Sequence, residues 1–145
     1  MECSRRFFIE GIGAFTVVAV AGCKSPKKGE LPLMRFGLVT DCHYADIPYA
    51  KREHPIGDAA YRETLTKLRE CVAVMESERP AFLIELGDFK DLTRGRAETI
   101  RHLEEIEAAL AAFDGPRYHV AGNHDFDCLA PEEFFSRLQI GRAHV

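Results

Sequence analysis

The stretch AFLIELGDFKD, residues 81–91, decides how the chain reads. A short apolar run sits behind a breaker, Pro80, and ends abruptly at Gly87-Asp88 in a polar, charged turn, which is the pattern of a buried strand feeding a loop. Upstream, MRFGLVT (34–40) is a second run of this kind and ends in Asp41-Cys42-His43. Downstream, RYHVA (117–121) is a third and ends in Gly122-Asn123-His124-Asp125. The first two runs are separated by a turn-rich loop over 41–57, broken by Pro48 and Pro55, and then by a helix from Asp58, a candidate cap, to about Glu78. Tyr61, Leu65, Leu68, Val72 and Met75 keep the three-four spacing of one helix face. Between the second and third runs a helix over 94–113 carries the stripe Ile100, Leu103, Ile106, Leu110 and Phe113, and Asp114-Gly115-Pro116 ends it. Pro131 then opens a short helix with Phe134, Phe135 and Leu138. The order β-α-β-α-β with short connections predicts an α/β fold, a parallel sheet covered by helices.

All three polar clusters fall at carboxyl ends of predicted strands, where open α/β sheets bind ligands. Side chains alternate near a strand end, so Asp41 and His43 can face one way and Cys42 the other. A carboxylate beside an imidazole is a chelating pair for a first-row divalent metal. Asp88 adds a carboxylate able to bridge two metals, Gly87 leaves room for close approach, and Asn123 offers a neutral amide oxygen. His124 beside Asp125 suggests an imidazole whose second nitrogen a carboxylate fixes. Taken singly, Asp41 and Asp88 could cap loops and Asn123 could hold a turn. His119 reads as a packed residue, while His54, His102 and the pair Lys51-Arg52 read as solvated surface.

The motifs D41-C-H43, G87-D88-F-K-D91 and G122-N123-H124-D125, in this order at strand ends, resemble the calcineurin-like metallophosphoesterases. The resemblance runs from about Met34 to Asp127. It implies a two-sheet sandwich flanked by helices, with residues 33–138 forming its N-terminal part. It implies that Asp41 and His43 hold a first metal, that Asp88 bridges two, and that Asn123 holds the second. His124 would meet the substrate or leaving group with Asp125 orienting it, and Asp91 would buttress the loop. The implied cofactors are two divalent ions (Mn, Fe or Zn), and the implied reaction is attack on a phosphate ester by a metal-activated hydroxide. The segments DCHYAD (41–46) and IELGDFKD (84–91) further resemble the branch of manganese-dependent ADP-ribose and CDP-alcohol pyrophosphatases, which points to a phosphodiester or pyrophosphate substrate. The competing reading is a non-catalytic cell-surface binding module on the same fold.

The first thirty residues read as an address. Ser4-Arg5-Arg6-Phe7-Phe8 resembles a twin-arginine export motif, and the apolar run 11–22 is about half the length a membrane-spanning helix needs. The run ends Val20-Ala21-Gly22-Cys23, which resembles a bacterial lipobox with Cys23 as the acylated residue. The expectation is a signal peptide over 1–22, a tether over 23–32, and an exported lipoprotein anchored on the periplasmic or cell-surface side of the membrane. The alternative is an N-terminal strand or helix with an incidental cysteine.

The 145 residues fit one domain, and 46% hydrophobic with 29% charged residues allows a packed core. The net charge of −4 is unchanged when 1–22 are removed with Glu2, Arg5, Arg6 and Glu10, so nucleic acid is disfavoured as a partner, while a small phosphorylated substrate remains open because a metal site can attract phosphate locally. The cysteines outside the leader, Cys42, Cys71 and Cys128, form no CxxC pair and read as small buried hydrophobes rather than a disulfide framework. A downstream His and a GHxH segment, which the resemblance implies should complete both metal shells, do not occur, and residues 139–145 resemble a translated sequencing adaptor. The expectation is therefore a truncated fragment with non-native residues at 139–145 and little or no activity of its own.

Overall fold

The structure, a computed structural model, describes Arg6–Phe8, Thr16–Val20 and residues 34–47 and 61–138. The elements are β1 (Arg6–Phe8), β2 (Thr16–Val20), β3 (Gly37–Thr40), α1 (Thr64–Glu78), β4 (Leu83–Glu85), α2 (Arg96–Leu110), β5 (Arg117–His119) and α3 (Pro131–Arg137). They build one five-stranded sheet in the order β1-β2-β3-β4-β5. β3, β4 and β5 run parallel, as the strand-helix alternation predicts, while β1 and β2 add antiparallel at the β3 edge. The second sheet of the sandwich is not among the described residues. The apolar leader run thus holds a strand, with Thr16 opposite Thr40 and Ala19 opposite Gly37. Cys23, the Asp58 cap, His54, Lys51-Arg52 and 139–145 lie outside the described residues. No helix among the described residues is long and apolar enough to cross a membrane.

α1 forms because Leu68, Cys71, Val72 and Met75 recur at i, i+3, i+4 and i+7 and are all buried. It stops at Glu78, two residues before Pro80: Arg79 turns left-handed (φ 49°) and returns its N–H to the Met75 carbonyl. α2 buries Leu103, Ile106, Ala109 and Leu110 against α1 and the sheet, and these residues join Val39, Leu83, Phe89, Phe113 and Phe134 in one core. Deleting a side chain such as Leu103, wholly buried, costs roughly 2–5 kcal/mol. The opposite sheet face is barer: Phe36 stacks on Phe82 at 5.3 Å, Phe82 meets Tyr118 edge-on at 5.7 Å, and Met34, Leu86 and Val120 are exposed.

The strands are shorter than the apolar runs, but their hydrogen bonding outlasts them. Beyond β3 and β4 the ladder continues as Asp41 N–H to Gly87 O (3.1 Å), His43 N–H to Asp88 O (2.8 Å) and Tyr44 N–H to Phe89 O (3.2 Å). The DCH and GDFKD loops therefore leave the sheet side by side.

Candidate metal centre

These parallel loops carry an unusual backbone. Asp41 (φ 54°), His43 (φ 44°) and Asp88 (φ 55°) are left-handed, and Gly87 lies at φ 100°. A non-glycine residue in this region stores on the order of 1–2 kcal/mol, and such strain clusters at functional sites. Here it turns three side chains into one space: His43 Nε2 lies 3.7 Å from Asp41 Oδ1 and 3.7 Å from Asp88 Oδ2. Their ligand atoms all lie within 4.8 Å of one another. Neighbouring ligands on an ion with bonds of about 2.1 Å sit roughly 3 Å apart, so a small inward adjustment closes this set around a divalent cation. Two carboxylates and an imidazole form a donor set that a first-row metal accepts. Cys42 faces the core, and burial raises its thiol pKa well above the ordinary value.

The third cluster closes on the second. Asp88 Oδ1 accepts the His124 N–H at 3.0 Å, and a Cβ on Gly122 would lie 2.3 Å from the same oxygen. Asn123, exposed, stands between these two residues at the start of the single turn His124–Phe126. The His124 ring meets the His43 ring edge-on, with centroids 4.8 Å apart. Its Nδ1 lies 3.0 Å from Asp91 Oδ1 and 3.2 Å from Asp127 Oδ2. Carboxylates at Nδ1 fix the tautomer and leave Nε2 as the nitrogen that can face a substrate.

Two expectations require correction. Asp125 does not orient His124. It is fully buried, and its carboxylate accepts backbone N–H groups from Asp88 (2.9 Å), Phe89 (2.9 Å), Lys90 (3.3 Å) and Gly122 (2.8 Å). It fastens the second loop to the third, and the contact with the His124 ring passes to Asp91 and Asp127. Burial still raises its pKa against those four donors. His102 is not solvated surface but fully buried, because it falls on the inward face of α2 with Thr99, Leu103 and Ile106. Arg101 approaches its Nε2 at 2.8 Å, and burial lowers its pKa.

Other participants lie outside the expected set. Lys90 is fully buried, with its ammonium on the His124 carbonyl. Nothing in the sequence marks it, since GDFKD reads as a polar turn. Tyr44 ties the first loop to α2 through Glu105 (2.9 Å), and burial followed by that hydrogen bond raises its pKa. Glu85 is buried beneath the loops beside His119, which is packed as expected but against carboxylates. Glu85 left a legible trace, a charge inside an apolar run with the inward parity of Leu83.

Three strand-end loops bring two aspartates and a histidine together, with a second histidine and Asn123 beside them, a donor set of the kind that divalent-metal sites at the strand ends of α/β sheets use. The comparisons agree. Residues 34–144 match the calcineurin-like phosphoesterase family, and the chain belongs to that family. It is 35% identical over 111 residues to the manganese-dependent ADP-ribose/CDP-alcohol diphosphatase of Danio rerio, which covers 75% of this chain and 34% of that protein. The protein of the same description from Xenopus tropicalis is 32% identical over 103 residues, 69% of this chain and 30% of its own length. A solved dimetal phosphatase from Danio rerio superimposes with a TM-score of 0.66 at 31% identity, over 72% of this chain and 34% of that one. The chain thus spans about a third of the length of the curated relatives it matches.

Proposed function

We propose that the protein to which these residues contribute a site hydrolyses a phosphodiester or pyrophosphate bond of a small molecule with divalent metal. The observation that carries this reading is the convergence of Asp41, His43 and Asp88 on left-handed backbone at the ends of two parallel strands. Asp41, His43 and Asp88 would hold one ion, with Asp88 shared and Asn123 contributing to a second. A divalent ion at such a site supplies Lewis acidity toward phosphoryl oxygen and makes bound water acidic near neutral pH. Mn, Fe and Zn all suit the donors, and the manganese dependence named for the relatives makes Mn the first to test.

The chain's own residues do the remaining work. His124, its Nδ1–H held by Asp91 and Asp127, would turn Nε2 toward the substrate, and with both ring nitrogens protonated it can donate a proton or a hydrogen bond to the departing oxygen. Asp125 and Lys90 keep the turn carrying His124 against the loop carrying Asp88, so substrate oxygen and ligands stay in register. ADP-ribose and CDP-alcohols, named for the relatives, are the first substrates to try. Residues 1–23 are proposed to export the protein and anchor it at Cys23, a reading supported by the order of twin arginines, apolar run and lipobox, under which processing before Cys23 removes β1 and β2 and leaves the parallel strands β3, β4 and β5 that carry the site.

The test is turnover of ADP-ribose and bis(p-nitrophenyl) phosphate by the product of the complete reading frame, with Mn2+, with EDTA, and as Asp88→Asn. Mn-dependent turnover lost in the variant supports the reading. Tight Mn2+ binding with no turnover of any phosphate ester would favour the binding module. The 145-residue chain alone is expected to turn over little or nothing, and robust turnover would overturn that expectation.

A further inference from the structure

Beneath the loops lies a polar string that the chemistry above does not use. Glu85 on β4 and His119 on β5 are register partners, so their side chains lie together on the helix-covered face. His119 Nδ1 lies 3.4 Å from Glu85 Oε2, and Nε2 lies 3.4 Å from Glu107 Oε2 on α2. All three side chains are essentially inaccessible, at 0%, 0% and 1% for His119, Glu85 and Glu107. The edge of Phe89 closes the ring's environment at 5.5 Å. At these distances none of the four facing atoms completes a hydrogen bond, so the three groups meet by close approach alone, and sealing them in a core is costly. The two ring nitrogens point at different carboxylates, so the group cannot chelate an ion. It spans α2, β5 and β4 as a brace.

The brace reaches the loops through Glu85. Glu85 Oε1 accepts the Gly87 N–H at 2.7 Å. Gly87 hands its own carbonyl to the Asp41 N–H at 3.1 Å. It also lies so close to the third loop that a Cβ would meet the Gly122 nitrogen at 2.5 Å. The glycine that Glu85 grips is thus where all three ligand-bearing loops touch, immediately before Asp88.

We propose that Glu85, held from behind by His119 and Glu107, is a positioning residue that sets the Gly87-Asp88 turn and thereby the affinity of the Asp41/His43/Asp88 site for its metal. The inference rests on the reading of those three residues as metal ligands. A neutral glutamine can keep Oε1 as the acceptor for Gly87 and place its amide against His119 at the same approach. Leucine can reproduce neither. Protonated Glu85 would bond in the same pattern, and burial followed by the charge of Asp125 pushes its pKa up to about 9.

The experiment uses the 145-residue chain and Mn2+ alone. Mn2+ affinity is measured by titration, and the exchange rate of the Gly87 amide proton is read by NMR without metal. Glu85→Gln should bind Mn2+ within about threefold of the parent, while Glu85→Leu, with its circular dichroism retained, should bind about 10- to 100-fold more weakly. Gly87 amide exchange should be slow in the parent and Glu85→Gln and at least about tenfold faster in Glu85→Leu. A brace that served stability alone would lower the unfolding midpoint of Glu85→Leu and leave the affinity of the folded fraction unchanged, which would overturn the proposal. Should Glu85→Leu not fold, His119→Leu removes the support while keeping the acceptor, and unchanged Mn2+ affinity there overturns it equally. An unprotected Gly87 amide in the parent also overturns it. If the parent has a protected Gly87 amide but binds no Mn2+, the reading of Asp41, His43 and Asp88 as a set that holds an ion in this chain fails, and the proposal falls with it. The two readouts separate that failure from failure of the brace itself.

Discussion

Replacing Asp125 is the sharpest test of how the site is assembled. The residue is fully buried and takes four backbone N–H groups, from Asp88, Phe89, Lys90 and Gly122. In Asp125→Ala all four donors lose their acceptor. Water can reach those on Asp88 and Gly122, which are half-buried, but not those on Phe89 and Lys90, which are fully buried. Two buried donors left unsatisfied cost about 1–3 kcal/mol each, so the expected loss is about 4 kcal/mol. Asp125→Asn keeps one acceptor oxygen for Phe89 and Lys90 but turns an amide N–H₂ toward Asp88 and Gly122, for an expected loss of about 2 kcal/mol. Urea unfolding followed by circular dichroism reads both, provided the slope is common to all three proteins. If Asp125 instead oriented the His124 ring, both variants would alter function and spare stability. An Asp125→Ala protein within about 1 kcal/mol of the parent would refute the fastening role.

Three other outcomes follow from the same geometry. Asp41→Gly should raise the stability of the metal-free chain by up to about 1 kcal/mol in thermal melts, because it relieves a left-handed residue and thins a carboxylate cluster, while Mn2+ binding drops at least about tenfold; a less stable variant contradicts this. Gly122→Ala would put a Cβ 2.3 Å from Asp88 Oδ1 and 2.6 Å from its nitrogen, and should weaken Mn2+ binding at least about tenfold by calorimetry, where parental affinity would refute the close packing. Glu85 holds its proton more tightly folded (about 9) than at its ordinary 4.5, so its stabilising share is complete below that lower value and fades as pH rises toward the upper one. His119, whose pKa burial lowers, works oppositely, losing stability as pH falls below its ordinary 6.5. Glu85→Gln cannot ionise and should lose less stability than the parent between about pH 7 and pH 9 in urea titrations, so parallel curves would refute the assignment.

The parts of this architecture written in periodicity were open to sequence reading. The i, i+3, i+4 rows in α1 and α2 and the apolar runs ending in Asp41, Gly87 and Gly122 are local signals, and three parallel strands with converging ends follow from them. The role of Asp125 was not open, because adjacency to His124 says nothing of direction: the single turn His124–Phe126 sends the two side chains apart, and the carboxylate finds donors 35 to 37 residues away. His102 lacks a motif and so reads as surface, although its position beside Leu103 and one turn before Ile106 carries the signal of burial. Lys90 left no trace, since its burial depends on a carbonyl in another loop. Neither did the left-handed backbone at Asp41, His43 and Asp88, which arises where two loops continue each other's ladder beyond the sheet.

That backbone also filters which residues can occupy those positions. A left-handed conformation rejects branching at Cβ and tolerates chiefly glycine, asparagine, aspartate and histidine. Three of those four can donate electrons to a cation. At 41, 43 and 88 a random replacement that still folds is therefore biased toward another side chain able to coordinate, so selection for shape alone would hold the chemistry near a working composition.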